Sequence, residues 1–240
     1  MKPHFLKLKD MPNFKIRSRE EELLDQPNIP TDDLFQNLHE LDIINRLLGG
    51  HKATLIGLKK LMTDKNKTYH IVDFACGGGD TLKAVSDWAE SQGFRVKLMG
   101  FDLLESAIAF AKKESEGYII EWKVSDFNSL EIPACDIAIC ALVCHHFYEE
   151  QLESFLRKMK KAARTGVVIN DLHRNVIAYN GIALLTQLFS KSQLVKNDAK
   201  LSVLKGFKKR EWEQLLTQML FSNFSIEWIW AFRHLILIRN

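Results

Sequence analysis

The stretch HIVDFACGGGDT, residues 70–81, narrows the folds open to this chain more than any other. An apolar run ends in Asp73, passes through Gly77, Gly78 and Gly79, and gives way to a helical pattern near Thr81. Three consecutive residues without Cβ atoms let the backbone turn sharply and approach a ligand closely, and they aim the N–H groups of a helix start at it. Such a turn belongs at the carboxyl edge of a parallel sheet, so the expected class is α/β. A dinucleotide fingerprint beginning at Gly77 would need a third glycine at position 82, which is Leu82, so a nicotinamide-dependent dehydrogenase ranks last among the readings.

The chain around this turn alternates short apolar runs with amphipathic segments. The expected strands are His70–Ala75, Val96–Phe101, Tyr118–Lys123, Ile137–Leu142 and Gly166–Asp171, followed by two closing runs, Phe224–Phe232 and His234–Arg239, spaced as antiparallel neighbours. Upstream, Thr31-Asp32-Asp33 are suited to cap a helix carrying Leu34, Leu38, Leu41, Ile44 and Leu47, which Gly49-Gly50 would stop; a second helix is expected from Ala53 to Met62. Residues 1–62 are therefore read as an N-terminal helical cap and 63–240 as the main domain, with a helical insertion over 174–204. Glu149 to Arg164 reads as a helix with one apolar face (Leu152, Phe155, Leu156, Met159) and a solvated basic one.

With 33 Lys and Arg against 30 Asp and Glu in 240 residues, the net charge of +3 lacks the concentrated basic field of a nucleic-acid binder. Cys76, Cys135, Cys140 and Cys144 have neither CxxC nor zinc-ligand spacing and read as reduced thiols. The N-terminus has no apolar h-region, and the longest apolar segment, 175–195, is interrupted by Asn180, Gly181, Gln187 and Lys191. The expectation is a cytoplasmic protein without a signal peptide or membrane span.

Ile71-Val72-Asp73-Phe74-Ala75-Cys76-Gly77-Gly78-Gly79 resembles motif I of the class I S-adenosylmethionine-dependent methyltransferases, with Ala75 in place of the motif's first glycine. Companion motifs follow in order: Asp102, 23 residues beyond Gly79, then Asp126-Phe127, then the exit of the fourth apolar run from Ala141 to His146. The resemblance covers about residues 70–172. It implies a seven-stranded Rossmann-like sheet, five parallel strands plus a C-terminal antiparallel pair, with S-adenosylmethionine as cofactor and S-adenosylhomocysteine as product. It assigns Asp102 and the adjoining Leu103 to the ribose, Asp126 and Phe127 to the adenine, and Ala75, Gly77, Gly79 and Ala141 to the wall of the cofactor site. Asp73 either meets the cofactor's amino group through water or structures the turn, and Arg46 is a candidate partner for its carboxylate, with a surface ion pair as the favoured alternative.

The exit of the fourth run lacks the Asn/Asp-Pro-Pro-aromatic turn typical of enzymes that methylate nucleobase or glutamine nitrogens. Ala141 also removes one half of a catechol-type metal site, of which Asn170-Asp171 would be the other, so no metal is expected. The pair His145-His146 is similar to that of small-molecule O- and C-methyltransferases, and neutral imidazole is suited to take a proton from a phenol. His173, beyond the fifth run, is a third candidate base, and its solvated alternative is a helix start. The insertion, with Tyr179, Leu184, Leu185, Leu188 and Phe189, would cover an aromatic, polyketide-like or lipid-like acceptor, or else form a homodimer or membrane-surface face. The expected reaction is methyl transfer to a small apolar or aromatic acceptor, with oxygen favoured over carbon. A non-catalytic cofactor-binding protein of the same fold and an RNA or protein methyltransferase remain the alternatives.

Overall fold

A computed structural model describes residues 12–26, 29–126 and 133–240. Seven strands, β1 (Thr68–Phe74), β2 (Arg95–Asp102), β3 (Ile120–Val124), β4 (Cys135–Ala141), β5 (Ala163–Leu172), β6 (Phe224–Ile229) and β7 (Arg233–Arg239), form one sheet in the order β3-β2-β1-β4-β5-β7-β6. The pairings among β1 to β5 are parallel, and β7 runs antiparallel between β5 and β6. The order reverses between β1 and β4, and at such a switch point the crossovers on either side diverge and leave a crevice at the strands' carboxyl ends.

Both faces are covered, which is why β4 is apolar almost throughout instead of alternating. On one face Val72, Phe74, Val167 and Ile169 pack on α5 (Glu149–Ala162) and α8 (Lys209–Gln218), with Trp212 fully buried. Their sequence neighbours point the other way: Ile71, Ile139 and Val168 meet α2 (Gly50–Leu61) and α3 (Asp80–Gln92). A third cluster joins Leu34 and Leu38 of α1 (Thr31–Leu47) to Ala107 and Phe110 of α4 (Glu105–Glu114), laying α1 across the crevice.

Several local expectations are corrected. Thr31 is the first residue of α1 rather than its cap; Pro30 holds the N-cap position without a side-chain bond, and Asp32 and Asp33 face the positive end of the helix dipole. Gly49, at φ +67°, ends the helix turn as expected, yet Gly50 already belongs to α2, ahead of Ala53. β3 starts at Ile120, because Gly117 (φ +91°) and a turn closed by the Tyr118 N–H on the Ser115 carbonyl occupy the residues before it. The insertion is two helices, α6 (Val176–Phe189) and α7 (Gln193–Lys205). Glu40 of α1 pins the break between them, accepting the Lys191 and Ser192 N–H groups at 3.0 and 3.1 Å and the Ser190 hydroxyl.

The residues before α1 form a strap. The Ser18 N–H donates to the Leu204 carbonyl at 3.1 Å. The Arg17 guanidinium donates to the carbonyls of Lys205, His145 and Phe147 at 2.7 to 2.9 Å and stacks on the rings of Phe207 and Tyr148. Asp198 of α7 accepts the Leu23 and Leu24 N–H groups, and so fixes a 3₁₀ turn at Leu23–Asp25.

Candidate active site

The crevice holds two adjoining cavities. The first, of about 440 Å³, lies at the ends of β1, β2 and β4, within the range typical of small-ligand sites. The chain leaves β1 through Ala75, held at φ +56°, and Gly77 at φ +50°. The Cys76 N–H donates to the Phe101 carbonyl at 2.8 Å, which ties this turn to β2. Asp102 completes the tie: one carboxylate oxygen accepts the Gly77 N–H at 2.8 Å, the other the Leu104 N–H at 2.9 Å. Burial raises its pKa, while these N–H donors pull the other way.

Asp73, at the end of β1, is buried with one carboxylate oxygen lacking any hydrogen-bond partner. Burial and the charges of Asp80 and Asp102 push its pKa well up, which favours the neutral carboxyl, a donor as well as an acceptor. A buried orphaned oxygen on a cavity wall fits a polar ligand better than an apolar one. Asp73, Ala75, Gly77, Asp102, Leu103, Asp126 and Ala141 all line this cavity. Phe127 falls outside the described residues.

Two expected cofactor residues do not line it. Gly79 sits at φ +76° as the N-cap of α3, and a Cβ there would fall 2.3 Å from the Trp122 indole. Trp122 comes from β3, and its ring also excludes a Cβ from Gly100 at 2.5 Å, so a side chain at position 79 would collide with a neighbour whether or not a ligand is bound. Arg46 points to solvent and pairs with Asp42, one helical turn back, at 2.8 Å.

The second cavity, of about 400 Å³, opens beside the first under α1, α6, α7 and the β6–β7 turn. Leu142, at φ +60°, and His146 line both cavities and so stand where they meet. The 3₁₀ turn Cys144–His146 after β4 presents both imidazoles. His145 is buried and anchored to Asp171 of β5 twice, through its backbone N–H at 2.9 Å and through ring Nδ1 at 2.7 Å. His146 is reached by the strap: Nδ1 lies 3.1 Å from Asp25, and Nε2 lies 3.8 Å from Glu22. Burial alone would lower the His146 pKa, but the hydrogen bond to Asp25 and the charges of Glu22 and Asp25 outweigh it and hold the imidazole above its ordinary value. Burial likewise opposes ionisation of Asp25, yet His146 and Lys205 bring its carboxyl down to about 2.

His173 is placed elsewhere. Its ring packs 4.7 Å from that of His234, and it lines neither cavity; burial and the nearby Arg174 lower its pKa. Of the insertion residues expected over the acceptor, Leu185 lines the second cavity, joined by Ile177 and Ile182. Leu184, Leu188 and Phe189 face outward, and Tyr179 packs edge-on against Phe14.

Glu22, Asp25 and Lys205 escaped the sequence reading. The segment Glu20–Asp25 carries no chemical motif in sequence, and only tertiary packing brings it onto His146. Glu22 with His145 and His146, and Asp42 with His51 and Asp80, are spaced as cation donors. In the first group the Lys205 ammonium, 3.2 Å from Glu22, already supplies positive charge; in the second, Asp42 holds Arg46 and Asp80 accepts from Asn45. The four cysteines are free and buried.

Residues 71–166 match the family model of a methyltransferase domain. Comparison with curated proteins finds no match. Among solved structures, the plantazolicin methyltransferase BpumL in complex with a triazolic desmethylPZN analog and SAH superposes with a TM-score of 0.63 at 17% identity, covering 88% of this chain and 90% of that one. Human N-acetylserotonin methyltransferase in complex with SAM gives 0.62 at 19% identity, over 88% and 56%. The citrinin polyketide synthase CMeT domain gives 0.57 at 16% identity, over 77% and 50%. The chain thus spans about half the length of the last two.

Proposed function

We propose that this chain, which has the Rossmann-like fold of class I methyltransferases and carries a methyltransferase domain over residues 71–166, transfers a methyl group from S-adenosylmethionine to a small apolar or aromatic acceptor, at oxygen in preference to carbon. One observation carries the reading: two cavities of ligand size meet at Leu142 and His146, one at the glycine turn with the carboxylates of Asp73, Asp102 and Asp126 on its wall and a largely apolar one under α6 and α7. The relatives crystallised with SAM or SAH support the choice of cofactor.

Asp102, Leu103 and Asp126 would hold the adenosine, with Ala75, Gly77, Asp73 and Ala141 around the methionine part. Bound there, S-adenosylmethionine supplies an electrophilic methyl group on a sulfonium. The apolar walls exclude water and orient the acceptor for attack. With Nδ1–H donated to Asp25, neutral His146 keeps its lone pair on Nε2, the atom suited to take the acceptor hydroxyl's proton as the new oxygen–carbon bond forms and the carbon–sulfur pair leaves with sulfur. The imidazolium that results faces Asp25 and Glu22. His145, clamped by Asp171, orients the turn that presents His146.

Titration calorimetry with S-adenosylhomocysteine tests the cofactor assignment. Wild type is expected to bind and Asp102→Ala to bind more weakly; unchanged affinity in the variant would remove Asp102 from the site. Turnover with any hydroxylated aromatic would establish the reaction, whereas binding without turnover across such a panel would favour a non-catalytic role.

A further inference from the structure

Arg233 opens β7 and is 3% exposed, yet no ion pair engages it among the described residues. One terminal nitrogen, Nη2, donates to the Asn45 side-chain oxygen at 3.0 Å. Nε and Nη1 have no hydrogen-bond partner. Burial strips this guanidinium of hydration, the charges of Asp171 and Asp80 offset that only in part, and two donors stay idle, so its persistence points to a ligand.

Its surroundings say which ligand. Arg233 lines the second cavity and not the first. The other charges on that wall are committed: Glu22 pairs with Lys205 and accepts from Ser202, and Asp198 accepts two strap N–H groups. The local backbone is shaped around the side chain. Gly50 leaves room for it, because a Cβ there would lie 2.6 Å from Asn45 and 3.0 Å from Arg233. The turn that delivers it holds Ala231 and Phe232 at φ +61° and +56°, a region bulky residues avoid, with the Phe232 carbonyl fixed by the His173 N–H.

We propose that Arg233 recognises a carboxylate on the acceptor, so that the substrates of this enzyme are apolar or aromatic acids held by the guanidinium while another part of the molecule reaches His146. Nη2 gives only one of its two N–H groups to Asn45, and its second, with the N–H of an idle neighbour on the same edge, forms a planar fork that matches a carboxylate's two oxygens. This inference rests on the methyltransferase reading and narrows its substrate class.

The test uses the full chain saturated with S-adenosylhomocysteine. 1-Naphthoate and decanoate serve as probes, with 1-naphthamide and decanamide as neutral counterparts, and binding is read by calorimetry. Wild type is expected to prefer each acid over its amide by about tenfold or more, the size of a charge-assisted hydrogen-bond pair. Arg233→Met, which keeps the apolar stem, should abolish the preference and leave S-adenosylhomocysteine affinity within about threefold; Arg233→Lys, which keeps the charge but loses the fork, should retain part of it. Acids that bind wild type no better than amides overturn the proposal without recourse to any variant. So does a loss of S-adenosylhomocysteine affinity in Arg233→Met that matches the loss of acid binding, which would put the guanidinium on the cofactor's own carboxylate. If wild type does not bind S-adenosylhomocysteine at all, the methyltransferase reading itself fails.

Discussion

Replacing Gly79 by alanine separates two explanations for a glycine in a ligand-binding turn. The residue sits at φ +76°, and its Cβ would lie 2.3, 2.9 and 3.0 Å from three atoms of the Trp122 ring. The ring cannot step aside easily, because its N–H donates to the Ser115 hydroxyl at 3.0 Å and its other edge rests on Gly100. Left-handed backbone costs a non-glycine residue about 1–2 kcal/mol, and overpacking adds about 1–3 kcal/mol, so Gly79→Ala should lose about 2–5 kcal/mol in urea unfolding. Gly79 is an N-cap, not a helix-interior position, so no helix propensity offsets this. In a Trp122→Leu background the steric part disappears and about 1–2 kcal/mol should remain, a coupling of about 1–3 kcal/mol between the two sites. Because Gly79 does not line the first cavity, the double variant should bind S-adenosylhomocysteine as Trp122→Leu does. Equal costs in both backgrounds, or an affinity that collapses with Gly79→Ala in the double variant, would refute the packing explanation and return this glycine to the ligand.

The histidines give further expectations. His146→Gln should cut turnover by about 10²–10⁴-fold with S-adenosylhomocysteine affinity unchanged, and an unaltered rate would exclude it as the base. Because only neutral imidazole accepts a proton and the His146 pKa is raised, turnover should climb with pH through a value above the ordinary ~6.5 of histidine. Asp25→Asn removes a raising influence, so this limb of the pH–rate profile should move to lower pH; a limb that stays in place would detach Asp25 from the site. His234, 2% exposed, has its pKa lowered to about 4 by burial and by His173, which outweigh the raising influence of Asp171 and the Phe207 backbone. The unfolded chain then binds the extra proton first, so stability falls as pH drops through ~6.5 towards 4. Between pH 7 and 5 the loss should be about 2 kcal/mol in urea titrations, and His234→Phe should flatten most of it.

The elements legible in the sequence are those whose cause is local. Strand after strand announces itself as an apolar run because both sheet faces are covered, and the turn at Gly77 is visible because the chain itself must bend there. Asp102 was readable for a related reason: it follows a strand that must end beside that turn. Gly79 is ambiguous because a missing Cβ looks the same in sequence whether it admits a ligand or the indole of Trp122, which arrives from another strand. Glu22, Asp25 and Arg233 carried no local signal. Their environments are made by segments far apart in the chain, the strap against the His145-His146 turn and the β6–β7 turn against α1. Arg46 shows the opposite case, since its alternative is local: Asp42, one helical turn away, pairs with it outside the crevice.

The strap gives the molecule a division of labour along its length. Everything proposed to hold the methyl donor lies between Asp73 and Ala141, whereas the carboxylates that set the proton affinity of His146 come from the segment before α1. A version of this chain shortened by its first thirty residues, or one exchanging them with a cousin, would therefore keep the residues proposed to hold the donor but lose the acid–base tuning beside them, and with it Leu24 and Asp25 from the wall of the first cavity. Variation in that early segment offers a route by which one catalytic body acquires different working pH ranges while the residues proposed to grip its cofactor stay the same.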